Sequence, residues 1–306
     1  MTTTAPRPTT APLTQRFDPR LLAALGSLCI SLSSVFIKVS HASGSTSAFW
    51  RCLLALPVLL ALAARERRKS GPAPRVLLPL LAGAGLGLDF VLWGEAIPRV
   101  GAGIATVLLA VQVVLVPLLA FAFLRERPAK RFLVAVPVLL GGVVLAGGFA
   151  GRGSFGPDPV TGAVLAILAG AGYAGYLFLI RLSGGAGTQA RSLVLATISA
   201  GAVAVALGVP TGTLDLTPSP ATFGWLLTLA VVGQLAGWLL ISAALPRMSA
   251  TTGATLMLLQ PVGAVLLGIG LLGETPSAVQ LIGCAGVVAA VCFAGGGRSA
   301  DGDRPG

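Results

Sequence analysis

Charge is what this sequence has least of. Only 10% of its 306 residues are Asp, Glu, Lys or Arg, against roughly 25% in a soluble domain, so the chain cannot cover a water-facing surface. With 55% hydrophobic residues and a mean hydropathy of +0.91 it reads as a polytopic membrane protein. Histidine is nearly missing too: His41 stands alone, in a loop, which argues against the His/Asp/Glu clusters of an integral membrane enzyme. Cys29, Cys52, Cys284 and Cys292 lie singly in apolar runs without CxxC spacing, so they read as packing residues, neither disulfides nor metal ligands. Gly141-Gly142 and Gly295-Gly296-Gly297 lack the Lys-Ser/Thr of a phosphate loop, and no cofactor is implied. No ring-forming filter or charged pore stripe speaks for a channel. The net charge of +11 would suggest nucleic acid in a soluble chain, but here the bases sit in short loops and set topology, so no nucleic-acid partner follows.

What is present is a repeat. Slid by 148 positions, Gly85 to Gly148 falls on Gly233 to Gly296 without a gap, with 19 of 64 positions identical. Leu, Ala and Gly coincidences cost little in so apolar a chain. Pro98-Arg99 on Pro246-Arg247, Gln112 on Gln260, Glu126 on Glu274 and Pro128 on Pro276 are harder to dismiss, and such a match signals internal duplication.

Residues 1–20 are Thr/Pro-rich and basic, hence expected to be disordered and cytosolic. A bilayer-spanning helix needs about 20 apolar residues. Breaks at polar and Gly/Pro residues leave ten candidates: Leu21–Val39, Ser47–Ala64, Val76–Ile97, Gly101–Leu124, Phe132–Phe149, Val160–Ile180, Ser192–Val209, Phe223–Leu245, Ala250–Leu272 and Val279–Ala294. With the N-terminus inside, seventeen of the twenty-one Lys and Arg residues fall on the inner side, as the positive-inside rule requires of a plasma-membrane protein with both termini cytoplasmic. The expected fold is therefore all-α and integral to the membrane, with ten transmembrane helices. Five helices per half is an odd number, so the second copy must enter upside down, giving two five-helix inverted-topology repeats over 21–150 and 160–296. An outer linker spans 151–159 and a cytosolic tail 297–306.

Several motifs carry a family resemblance. They are Phe49-Trp50-Arg51, Ala96-Ile97-Pro98 before Val100-Gly101-Ala102-Gly103, Ala105-Thr106-Val107-Leu108-Leu109 through Gln112-Val113, and Phe123-Leu124-Arg125-Glu126-Arg127-Pro128. The second copy adds Leu259-Gln260-Pro261 and Leu271-Leu272-Gly273-Glu274-Thr275-Pro276. Over nearly its whole length the chain resembles the drug/metabolite transporter superfamily, in particular its EamA-like members. The resemblance implies a ten-helix carrier that works by alternating access without nucleotide hydrolysis. It says little about substrate, because members are similar to exporters of amino acids, other metabolites and drugs alike.

Ionisable groups inside a membrane are expensive and mark functional candidates. Asp89, mid-way along the third segment, is the candidate for proton coupling; a carboxyl hydrogen-bonded between helices is the competing role. Lys38, Arg51, Glu95 and Arg99 fall towards the outer ends of the first three segments, where they can form a vestibule or gate; for Lys38 and Arg99 snorkelling to the interface is the preferred reading, and for Arg51, deeper in its segment, the two readings balance. Gln112 and Gln260 occupy equivalent midplane positions; with Gln234 they supply amides that donate and accept. Trp93, Tyr173, Tyr176 and Trp238 sit at midplane depth and complete a candidate cavity lining. Glu126 and Glu274, each two residues before a Pro, read as structural: they pair with bases or fix a turn. The leading expectation is a non-enzymatic secondary transporter, an exporter of small metabolites with amino acids and related amphipathic compounds first. Its partners are the substrate, the bilayer and, if coupled, protons; it can act as a monomer or a homodimer. The alternative class is a membrane enzyme or a scaffold subunit of a membrane complex.

Overall fold

The computed structural model describes residues 17–67, 76–128, 130–148, 156–183, 189–248 and 250–295. The expected cytosolic N-terminal stretch up to residue 16, most of the 151–159 linker and the tail from residue 296 lie outside them. The described chain is helical, with no strand: α1 Pro19–Ser40, α2 Gly44–Arg67, α3 Leu77–Val100, α4 Ala102–Leu108, α5 Gln112–Leu124, α6 Lys130–Ala146, α7 Pro159–Ser183, α8 Gln189–Thr211, α9 Pro220–Thr228, α10 Gly237–Ala244, α11 Ala250–Met257, α12 Leu259–Leu272 and α13 Ala278–Gly295. A single 3₁₀ turn, Leu109–Val111, joins α4 to α5, and a π-helical segment, Leu229–Ala236, joins α9 to α10.

Each of the ten apolar segments is helical. Among the described residues seven helices are long and apolar enough to cross a bilayer: Pro19–Ser40, Gly44–Glu66, Leu77–Val100, Ala102–Leu124, Pro159–Ser183, Gln189–Thr211 and Pro220–Arg247. The remaining three segments fall short for identifiable reasons. α6 has only 17 residues, α13 is similarly short, and the segment from Ala250 is divided at Leu258. Pro261 contributes to that division, since it has no N–H to offer the Met257 carbonyl. Helix ends are marked by ordinary chemistry. Asp18 caps α1 through a bond from the Arg20 N–H, Ser219 caps α9 through Thr222, and both helices begin with Pro.

Burial runs opposite to that of a soluble protein. Leu77, Phe123, Val134, Leu266 and Ile282 are all more than half exposed, while Ser27, Ser31, Ser33 and Ser34 on α1 are fully buried. Lipid tails solvate the large apolar side chains, so helix contacts are left to small residues that allow close approach. The α3–α7 crossing is the clearest case: a Cβ on Gly85 would meet the Gly172 carbonyl at 2.6 Å, and one on Gly172 the Gly85 carbonyl at 2.7 Å.

Hydrogen bonds fix which helix ends lie together. At the end of the bundle where α1 finishes, here the far end, the Gly44 N–H donates to Glu95 at 2.8 Å, Thr222 donates to the Ser40 carbonyl, and the Asp158 N–H to the Arg99 carbonyl. At the starting end, Arg247 donates to the Phe17 carbonyl and the Arg191 N–H to Glu66. Thus α1 runs from the starting end to the far end and α7 runs back. The helices of the two halves interleave: α1 packs on α10 and α12, α3 on α7 and α8, α2 on α8, and α6 on α13.

Candidate functional site

The centre of the bundle is built where helices from both halves meet and their regular geometry lapses. α4 passes through a 3₁₀ turn directly before Gln112, and α11 breaks at Leu258, two residues before Gln260. By the 148-residue shift these are equivalent places. Backbone groups freed in hydrocarbon must find partners. Ser27 Oγ supplies one, donating to the Leu256 carbonyl at the end of α11 at 3.1 Å, and one turn on Ser31 Oγ lies within 2.9 Å of the Gln260 carbonyl. The third irregularity is the π segment of 229–236, where Gln234 sits; such segments insert a residue into a helix and occur most at functional sites.

Arg51 lies at the heart of this region, 6% exposed. Its Nε donates to Gln234 Oε1 at 2.5 Å, and its guanidinium carbon stands 3.9 Å above the centre of the Phe90 ring, a cation–π contact. Asp89 precedes Phe90 on α3, is 4% exposed, and its Oδ1 is sealed without a hydrogen-bond partner. Arg51, Asp89 and Tyr173 are close enough to interact electrostatically. Neither described ion pair, Glu95–Arg99 nor Glu126–Arg181, involves Arg51 or Asp89. Tyr173 and Tyr176 stack on α7 with centroids 5.6 Å apart, beside Phe90. One turn along α3 from Asp89, the Trp93 Nε1 is also buried without a partner.

The other expected residues divide. Gln112 Oε1 is buried and unpartnered, whereas the Gln260 amide rests on Met257 Sδ at 3.6 Å; the symmetric amides of the sequence therefore have different surroundings. Trp238 on α10 is half-buried. Of the four residues expected together at a vestibule, three gather at the far end. Glu95 binds Arg99 at 2.8 Å and the Gly44 N–H, Arg99 also donates to the Glu95 carbonyl, and Lys38 Nζ reaches the Ile97 carbonyl at 3.4 Å. Arg51 is not with them. α2 begins at Gly44, three residues earlier than expected, so Arg51 lies about two turns inside the helix. Phe90 was not among the expected site residues. A signal for it existed, since the 148-residue shift lays Trp238 on Phe90 and keeps an aromatic ring there.

Beside this core, an apolar cleft of about 210 Å³ opens between α2 and α8, lined by Phe49, Cys52, Leu56, Thr197, Gly201 and Val205 among others.

Known proteins share this plan. A curated relative from Bacillus subtilis (strain 168), an uncharacterized transporter YcbK, is 28% identical over 287 residues, covering 86% of this chain and 88% of the relative. One solved crystal structure superposes with a TM-score of 0.58 at 17% identity, over 90% of this chain and 96% of that one, a likeness of fold alone. The family model of the EamA-like transporters matches twice, over residues 20–148 and again over 160–296. Two matches that between them take in most of the chain, on an all-helical bundle with polar groups at its centre, place it: the protein belongs to the EamA-like transporter family and is a membrane transporter.

Proposed function

We propose that the protein is a secondary transporter that exports small metabolites, amino acids and related amphipathic compounds first, by alternating access across the plasma membrane. The observation that carries this reading is the pair of interrupted helices, at Leu109–Val111 and at Leu258, at equivalent positions of the two copies. Paired discontinuities at the centre of a bundle are how secondary carriers build a midplane site. The architecture proposed is ten spans in two inverted repeats, 21–150 and 160–296, with both termini cytoplasmic. Opposite directions of α1 and α7 support the inversion. So does the packing, which keeps its pattern when the halves are exchanged: α3 on α7 answers the π segment and α10 on α1, while α2–α8 and α6–α13 answer themselves. The far end is then the outer face, and Glu95, Arg99 and Lys38 belong to its gate.

Asp89 is the proposed coupling group. A carboxyl oxygen sealed without a partner is costly as an anion and cheap as an acid, so its protonation can be tied to whichever access state relieves it. Reconstituted protein is expected to take up labelled amino acids faster under an inward proton gradient, or slower if exchange is antiport. Asp89→Asn is expected to keep exchange and lose the gradient's effect. Uptake indifferent to both the gradient and the substitution would remove the coupling assignment and leave a facilitator.

A further inference from the structure

Resting on the transporter reading of this same site, we infer that Arg51 is the anchor for a carboxylate carried by the substrate. The guanidinium has three nitrogens, and among the described residues only Nε has a hydrogen-bond partner, the Gln234 side chain. Neither terminal nitrogen is among the sealed, unpartnered atoms of the interior. Each therefore keeps a small accessible surface and has no protein partner among the described residues. Two free N–H groups side by side on a planar fork match the two oxygens of a carboxylate, which accepts a bidentate pair of charge-assisted bonds.

The surroundings prepare this role rather than fill it. Phe90 carries the guanidinium on its face and Gln234 holds one edge, so the free edge has a fixed direction. The one carboxyl side chain in electrostatic reach, Asp89, forms no ion pair with it and keeps an unpartnered oxygen of its own. A direct Arg51–Asp89 bridge would satisfy both groups and leave nothing for a ligand. Held apart, they present a cation and a carboxyl to the same interior, the complement of a molecule bearing a carboxylate at one end and a donor such as an ammonium at the other. Arg51 and Phe90 come from the first copy and Gln234 from the second, so relative motion of the halves changes the anchor itself.

The test uses the full chain in detergent, with ligand-induced thermal stabilisation as the binding readout. L-leucine, 4-methylpentanoate (the same skeleton without the amine) and 3-methylbutylamine (without the carboxylate) are the probes, apolar in their tails to suit Phe90, Tyr173 and Tyr176. Both carboxylates are expected to stabilise the wild type and the amine is not. Arg51→Gln is expected to weaken carboxylate binding by about tenfold or more, with Arg51→Lys keeping part of it. Binding of the amine as tightly as the acids, no stabilisation by either acid, or carboxylate affinity unchanged in Arg51→Gln would overturn the assignment. The wild-type series decides the matter even if Arg51→Gln fails to fold. Liposome uptake of 3-methylbutylamine without carboxylate binding would sink the anchor and spare the transporter. Carboxylate binding without uptake of any amino acid would do the reverse.

Discussion

The helix ends at Leu124 and Leu272 have the same backbone and opposite side-chain fates. Each helix stops on a left-handed residue, Arg125 with φ 58° and Gly273 with φ 64°. Each then turns the next N–H back six residues, Glu126 to the Ala120 carbonyl at 3.3 Å and Glu274 to that of Gly268 at 3.0 Å, which satisfies a carbonyl of the last turn. There the equivalence ends. Glu274 is 3% exposed and folds across to the start of α4, accepting from the Ala102 N–H at 2.6 Å and the Gly103 N–H at 3.3 Å. Glu126 turns outward, its side chain 47% exposed, and pairs with Arg181 at 2.8 Å. The neighbours explain the split. A Cβ on Gly268 would collide with the Glu274 carboxylate, and the first copy has Ala120 at that place. One methyl group therefore separates an acid that clasps two helices together from one that rests on a wet ion pair.

The sharpest way to break this comparison is to neutralise each acid in turn. Glu274→Gln is expected to cost about 2–3 kcal/mol, since it weakens charge-assisted bonds to otherwise orphaned buried N–H groups. Glu126→Gln should cost less than about 1 kcal/mol, as for other exposed pairs. Thermal or denaturant unfolding in detergent checks both, and equal losses would refute a one-sided clasp. Next in size, Gly268→Ala should lose about 1–3 kcal/mol by overpacking, and less in a Glu274→Ala background, a non-additivity that a double-mutant cycle measures. Ala120→Gly should lose only about 0.5–1 kcal/mol. The smallest effect has the opposite sign. Arg125 occupies a left-handed conformation that costs a side-chain-bearing residue about 1–2 kcal/mol, so Arg125→Gly is expected to stabilise by up to about that much, read in the same unfolding experiment.

Much of the fold was legible because hydropathy and duplication are local or periodic signals. The ten apolar segments, the shared ends at Glu126 and Glu274, and the placing of Asp89 and Gln234 within helices, where both are buried, all follow from them. Glu274 was read as a turn-fixing residue. That its carboxylate would cap another helix was not legible, because Ala102 lies 172 positions away and Gly268 looks like any other small residue in a membrane helix. Arg51 was grouped with the outer residues although deeper in its segment, and that segment starts before Ser47: the polar Gly44-Ser45-Thr46 turn is helical, its hydroxyls tied to Thr213 and Asp215 across the bundle. The break at Leu258 had a visible cause in Pro261, while the 3₁₀ turn at Leu109–Val111 has none in its local sequence.

The π segment makes the two copies fall out of step. It accommodates an extra residue within its turns, so side chains on either side of 229–236 are offset by about 100°, one residue's rotation, relative to an uninterrupted helix. Its counterpart in the first copy, within α3, is regular. An ungapped alignment in sequence is thus a slipped one in space, and Gln234 cannot point as Leu86 does. Such a slip makes the two copies present unlike side chains to the interior they share.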